Sequence, residues 1–385
     1  MKQVDAIVLG LGGMGSSALA AFASRGMEVL GLDQEPAPHA RGSSHGGSRI
    51  IRRAYFEHPD YVPLLRASFE GWRRLERASG LKCLHRTGVL LVGSSRSPIL
   101  EASRSSAAAH DVPVELFDPD RMRARFPQFS SDRGWSGLFE PGGGFIDPEA
   151  GVRAHLELAR RAGASIRRPV KVVSIDGDDQ EAVVGTDQGE LRTSRLVVAA
   201  GAWTASLLGD HLRVPLFPQR KAMIWFEPTD PRACSSDEMP AWLIDDGEPA
   251  GCYYGVPTWP GQPLPGGVKV GFHGPGSVVD PDATHEITPE VIERFTADLA
   301  RRLPGVLKRP LAAQACLYTM SPDEHFVIDR LPGRGSMVVV AGFSGHGYKF
   351  APVVGEIAAD LAIDGATPRP AAFLNLDRFD EERPH

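Results

Sequence analysis

Gly10-Leu11-Gly12-Gly13-Met14-Gly15 has the spacing G-x-G-x-x-G, and Asp33 ends the next apolar run. Gly10 permits a tight turn, Gly12 lets backbone approach a pyrophosphate, and Gly15 lets a helix pack close to a strand. The N–H groups that open such a helix face the phosphates, while Asp33 accepts hydrogen bonds from ribose hydroxyls. An acid at this place argues against a 2′-phosphate and leaves NAD or FAD. Two other groups of residues have chemistry to offer. Arg49, Arg52 and Arg53 close a polar loop, although a surface ion pair is the ordinary use of any one arginine among 35. Lys269, one of only 7 lysines, stands between Val268 and Val270, so the two-residue period of a strand turns it away from both. On a half-buried strand that face is ordinarily exposed.

The glycines carry meaning only in the right frame. Val4–Leu9 reads as a buried strand, Ser16–Arg25 as an Ala-rich helix and Glu28–Leu32 as a second strand, which is the βαβ context the motif requires. A nicotinamide domain would enter its next βα unit after Asp33. This chain instead has a loop rich in Pro, Gly, Ser and His over 34–47, the three arginines, and an amphipathic helix near Tyr61–Ser79. Ser194–Ala200 is another apolar strand closing on Gly201-Ala202-Trp203, and Met337–Ala341 runs into Gly342–Gly347 before an apolar helical stretch at Val353–Leu361. Strand-plus-glycine units scattered in this way suit FAD and a domain interrupted by insertions. The insertions are β-rich: Thr87–Gly93, Ala222–Glu227, Gly251–Val256 and Gly267–His273 are short branched or aromatic runs bounded by Gly and Pro. The expected fold is therefore α/β, a discontinuous Rossmann-like FAD-binding domain (1–82, 145–215 and 320–385) with an inserted β-rich substrate domain (83–144 and 216–319) roofing a ligand cavity. Pro257–Gly267 reads as a lid or a long turn. Trp225, Trp242 and Trp259 read as pocket wall or as core.

At 385 residues, 42% hydrophobic and 23% charged, the chain has the length for two units and the composition of a globular protein. A net charge of −6 provides no field to gather nucleic acid or anionic lipid, so small molecules are the expected partners. Cys83, Cys234, Cys252 and Cys316 show no C-x-x-C spacing, which suits a reducing compartment. No apolar stretch is long enough to span a bilayer and no leader pattern opens the sequence, so a cytoplasmic protein is expected. There is no H-E-x-x-H and no G-x-S-x-G, and Asp323-Glu324-His325 lacks further ligands at useful spacing, so neither a metal site nor an acyl-transfer site is expected.

Seven segments together carry a resemblance: GLGGMG at Gly10–Gly15, HGGSRIIR at His45–Arg52, AGAW at Ala200–Trp203, YYG at Tyr253–Gly255, VKVGFH at Val268–His273, CLYTMSPDEHFVIDR at Cys316–Arg330 and AGFSGHGYKF at Ala341–Phe350. In content and order they resemble the monomeric sarcosine oxidase family of FAD-dependent N-methyl amino acid oxidases. The resemblance spans nearly the whole chain. It implies FAD contacts at Gly10, Gly12, Gly13, Met14, Gly15, Asp33 and Gln34, at Ser43, His45, Ser48 and Arg49, at Val172, Gly201 and Trp203, and at Gly345, His346, Gly347 and Lys349. It implies that Cys316 carries the flavin as a thioether to the 8α carbon, a reaction that a thiolate and nearby basic residues favour. Ser48 stands where the family has threonine and keeps the hydroxyl.

The same resemblance implies an amino acid substrate and dioxygen. A carboxylate calls for an arginine fork and a second cation, and Arg52 with Lys349 holds those family positions, joined by Tyr318, Gly345 and His346 as substrate contacts. Lys269 is implied to stand over the flavin and activate dioxygen, with Arg49, His273 and Tyr254 as the other catalytic residues; His273 serves as base or as a neutral group shaping polarity. The turn into the last helix is implied to stabilise negative charge on the cofactor. The function expected is oxidation of a small secondary amino acid, N-methyl or cyclic, to an imine with release of hydrogen peroxide by a monomer. A related dehydrogenase, a D-amino acid or glycine oxidase, and an accessory flavoprotein without turnover are the alternatives. Sarcosine, N-methyltryptophan, pipecolate, proline-like acids and sugar-adducted amines all meet the same description.

Overall fold

In the computed structural model, which describes residues 4–94, 96–129, 134–247 and 250–380, the run Ala6–Leu9 is a strand (β1) buried on both faces. Ala6 and Val8 enter one apolar cluster and Ile7 and Leu9 another, so an unbroken apolar run is what this position demands. A helix, α1 (Gly13–Ser24), follows and begins within the glycine motif rather than at Ser16. The next strand, β2 (Val29–Leu32), ends beside Asp33. Residues 1–3 and 381–385, assigned from sequence to the FAD-binding unit, lie outside the described residues.

β1 sits inside a six-stranded sheet in the order Val327–Leu331, Arg334–Ala341, Leu196–Val198, β1, β2, Ser165–Arg167. Every pairing in it is parallel except the terminal hairpin Val327–Leu331 with Arg334–Ala341. Its strands thus come from the start, middle and end of the chain. On one face pack α1, the Tyr61–Ser79 helix at its expected bounds, Pro148–Arg161 and Ala351–Asp364. On the other face packs an antiparallel meander, Val172–Gly177, Ala182–Thr186 and Gly189–Thr193. The sequence reading did not foresee that meander, because its half-exposed strands lack a strong apolar run. Close helix packing depends on Gly355, where a Cβ would fall 2.3 Å from Ser17 Oγ and 2.5 Å from Ser17 C on α1.

The second large sheet has eight strands, in the order Leu307–Met320, Phe217–Pro228, Val268–His273, Cys252–Val256, Ala241–Asp245, Val89–Gly93, Ser136–Glu140, Glu115–Phe117. All four runs read as insertion strands are in it, and the one centred on Ala222–Glu227 is longer than expected. A small antiparallel sheet joins Gly144–Ile146 to Arg49–Ile51 on one side and Leu84–His85 on the other. Trp225, Trp242 and Trp259 are buried in apolar clusters. Trp259 packs its ring 4.8 Å from that of Phe145, which anchors the Pro257–Gly267 segment. Among the described residues no helix is long and apolar enough to cross a membrane.

Candidate active site

A cavity of about 360 Å³ runs from the glycine motif to the second sheet, within the range of small-molecule sites. At its first end Gly10, Gly12, Gly13 and Met14 form the wall. Gly15 does not line it; a Cβ there would lie 1.7 Å from Gly10 O, so this glycine serves the tight turn itself. Asp33 Oδ2 accepts from Leu11 N at 2.7 Å and Oδ1 from Glu35 N at 3.0 Å, with His39 Nε2 at 3.5 Å. Burial works to raise the Asp33 pKa, but these donors win and hold it below the usual carboxylate value. Asp33 therefore splints the glycine loop as well as facing the cavity. Ser44 Oγ accepts from Gly13 N at 2.9 Å, a contact missed from sequence. Gln34, Val172, Gly201 and Trp203 complete this end, and Trp203 Nε1 donates to Asp282 at 2.9 Å.

The 43–49 loop forms the middle of the wall. Ser43 donates to Leu317 O, and Arg49 donates to Ser48 O and Ser43 O, each at 2.7 Å. Arg49 Nη2 also lies 3.5 Å from Cys316 Sγ, and both residues face the cavity. Burial opposes the Arg49 charge, yet Cys316, Tyr254, Tyr318 and Glu149 together hold its pKa above the ordinary value. Behind the loop lies Lys269, 1% exposed, donating to Gly46 O at 3.0 Å and Ser48 O at 2.6 Å. Burial first, and then Arg49, drive its pKa well down. Lys269 is thus not on the exposed face that an ordinary strand lysine occupies, and it buttresses the loop rather than forming the cavity wall. His45 is buried too and stays neutral to a pKa of about 3, through burial and then the Arg49 charge. Glu149 accepts from Gly46 N at 2.7 Å and Gly47 N at 3.2 Å. No sequence signal links it to a loop a hundred residues earlier.

At the far end Arg52, Phe56, Glu57, Tyr254, His273, Tyr318, Gly345, His346, Gly347 and Lys349 converge. Strand register explains part of this. Tyr254 pairs with Gly271, whose Cβ would strike the tyrosine ring at 2.4 Å, and His273 lies two residues along the same face. Gly345, at φ +82°, leaves room for the Tyr318 ring, which a Cβ would meet at 2.0 Å. Arg52 is 2% exposed and donates to Glu57 Oε2 at 2.7 Å and Ala54 O at 2.6 Å. Burial would raise the Glu57 pKa, but Arg52, His346 and Lys349 hold it at about 2. Lys349 donates to Tyr55 Oη at 3.2 Å and His346 O at 2.5 Å, and burial lowers its pKa to about 7. His273 is lowered to about 4, also by burial, and is neutral above that pH. Glu57 and Tyr55 were missed from sequence; an acid five residues after a cavity arginine was the available signal.

The residues present fit a bound dinucleotide. The glycine cradle leaves backbone open where a Cβ at Gly12 would already meet Ser44 Oγ at 3.3 Å, and the Ser48 hydroxyl is buried in the wall without a partner among the described residues. Residues 5–361 match the family model described as DAO, FAD dependent oxidoreductase. The chain is 40% identical to a monomeric sarcosine oxidase of Streptomyces avermitilis over 97% of each chain. It is 33% identical to an N-methyl-L-tryptophan oxidase of Yersinia pestis, covering 97% of this chain and 99% of the relative. Among solved structures, NikD, an unusual amino acid oxidase essential for nikkomycin biosynthesis, matches with a TM-score of 0.85 and 25% identity over 97% of this chain and 98% of that one.

Proposed function

Since the chain belongs to the DAO family of FAD dependent oxidoreductases, we propose that it oxidises the C–N bond of small secondary amino acids, with dioxygen as acceptor and hydrogen peroxide as product. The observation that carries the reading is that Arg52 and Lys349 reach one buried end of the cavity whose other end is the glycine cradle. The relatives named for sarcosine and for N-methyl-L-tryptophan support an N-methyl amino acid, small or bulky.

FAD, when bound, supplies a two-electron acceptor for the amine and a donor to dioxygen. The residues that would hold it are Gly10, Gly12, Gly13, Met14, Asp33, Gln34, Ser43, Ser48, Arg49, Val172, Gly201, Trp203, Gly347 and Cys316, the last as a covalent thioether. Arg52 and Lys349 clamp the carboxylate and so orient the amine. His273, neutral above about 4, offers the amine a hydrogen-bond partner and not a third cation. The Tyr254 and Tyr318 phenols, their pKa raised by burial, keep their protons and wall the site. Lys269, fixed by two carbonyls, is the group that assists dioxygen. The working form proposed is a monomer.

The experiment is peroxide release by the isolated holoprotein with N-methylglycine, N-methyltryptophan, pipecolate and proline. The expected result is peroxide from at least one of them and none from its amide. Reduction by these amines without peroxide would make the protein a dehydrogenase, and no reaction at all would leave an accessory flavoprotein. For the covalent link, acid-precipitated protein should stay yellow and Cys316→Ala should release its flavin; free flavin over the precipitated wild type would contradict it.

A further inference from the structure

Tyr55 is fully buried, enclosed by the rings of Tyr61, Phe350 and His346 at centroid distances of 5.4, 5.7 and 5.9 Å. Its own ring lies under the Arg52 guanidinium, 4.5 Å away, and its hydroxyl lies 3.2 Å from Lys349 Nζ. The direction of each hydrogen bond follows from the far end of the chain of contacts. His346 Nε2 is 3.0 Å from Glu324 O, a carbonyl that only accepts, so Nε2 carries the proton. Neutral His346 then has Nδ1 bare, and it accepts from Tyr55 Oη at 2.6 Å. The phenol, having donated there, turns its lone pairs to Lys349, which donates. Both ring nitrogens of His346 are thus engaged inside the protein, and the imidazole serves Tyr55.

We propose that Tyr55 is the positioning residue of the carboxylate site: its ring face carries Arg52 and its hydroxyl carries Lys349, so one buried side chain sets the spacing of both cations. This rests on the reading of the site as a clamp for an amino acid carboxylate. An ammonium held by a phenol oxygen is favoured over the neutral amine, which opposes the burial that brings Lys349 down to about 7. The other groups facing Lys349 are Arg52 and Glu57 from the 52–57 segment, His346 from its own turn, His273 from the second sheet and Tyr61 beyond His346. Of these Glu57 favours the charge and Arg52 opposes it.

The test measures binding of methoxyacetate, which copies the shape of N-methylglycine without an oxidisable amine, to the holoprotein by calorimetry across pH values that bracket the about 7 of Lys349. Wild-type affinity should fall as pH rises through that value. Tyr55→Phe keeps the ring under Arg52 and deletes one oxygen, so the fall should begin at lower pH and affinity on the alkaline side should drop roughly tenfold, with little change on the acid side. Tyr55→Leu, which removes the ring as well, should weaken binding at every pH. A Tyr55→Phe profile that overlies the wild type, or one lowered equally at all pH values, overturns the proposal. Wild-type protein that binds methoxyacetamide as well as methoxyacetate overturns the carboxylate reading instead, and the two failures are told apart by the wild type alone.

Discussion

Arg52 enters the cavity with a partner already in place, because Glu57 lies 2.7 Å from its guanidinium and both side chains are nearly enclosed. A substrate carboxylate must therefore share or displace Glu57. The pair also contributes to stability, with a definite sign: the folded pKa of Glu57, about 2, lies below its ordinary 4.5. Its contribution is complete above the ordinary value and is lost as pH falls toward the folded one. Glu57→Gln should cost about 3 kcal/mol of unfolding free energy at neutral pH, the low end for breaking a buried pair since the amide oxygen still accepts. Denaturant titrations should show the difference shrinking as pH falls from 4.5; a constant difference would contradict the assignment. In the proposed reaction Lys269 serves the other half, the reoxidation by dioxygen. Lys269→Met keeps the stem and should leave anaerobic reduction by the amine largely intact, while reoxidation by dioxygen slows about a hundredfold or more. Stopped-flow traces of the two half-reactions decide it, and equal slowing of both would reduce Lys269 to a prop for the Gly46–Ser48 loop. Lys269, Arg52, Lys349 and Cys316 could be singled out in the sequence because each stood in a marked segment. Tyr55, Ser44 and Glu149 could not, since a partner's value appears only when the chain folds back on it, and Glu57 was marked only by its place five residues after Arg52.

Elements deliver these side chains by simple periodicities. The strand Val268–His273 sends Lys269 and His273 to one face, and the adjacent strand brings Tyr254 over Gly271. The strong apolar runs and the amphipathic Tyr61–Ser79 helix were legible because burial on one or two faces imposes a pattern on composition. The 172–193 meander was not, because its outer face is wet and its residues mix freely. Helix contacts show the same limit: nothing local in Gly355 announces that α1 presses against it. Gly355→Ala should push α1 from its seat, with a loss of about 1–3 kcal/mol. Thermal unfolding of the holoprotein checks this, and an unchanged midpoint would contradict the packing argument.

At the scale of the whole molecule, two sheets built from interleaved stretches of sequence meet along one cavity. The parallel sheet and its glycine motif bring the dinucleotide end, and the eight-stranded sheet brings Tyr254, His273, Cys316 and Tyr318. The α/β class, the interrupted first unit and the β-rich insertion were readable because glycine motifs and apolar runs recur far apart in the chain. Strand order was not, since it depends on which distant runs pair. On the proposed reading, the molecule presents an amine, held by its carboxylate, to FAD. The most direct test is anaerobic: add N-methylglycine or another N-methyl amino acid to the holoprotein without dioxygen and follow the visible absorbance of the flavin. Bleaching by the amino acid, and its loss when the carboxylate is replaced by the amide, is the predicted result. Equal bleaching by the amide, or none by any secondary amino acid, would contradict it.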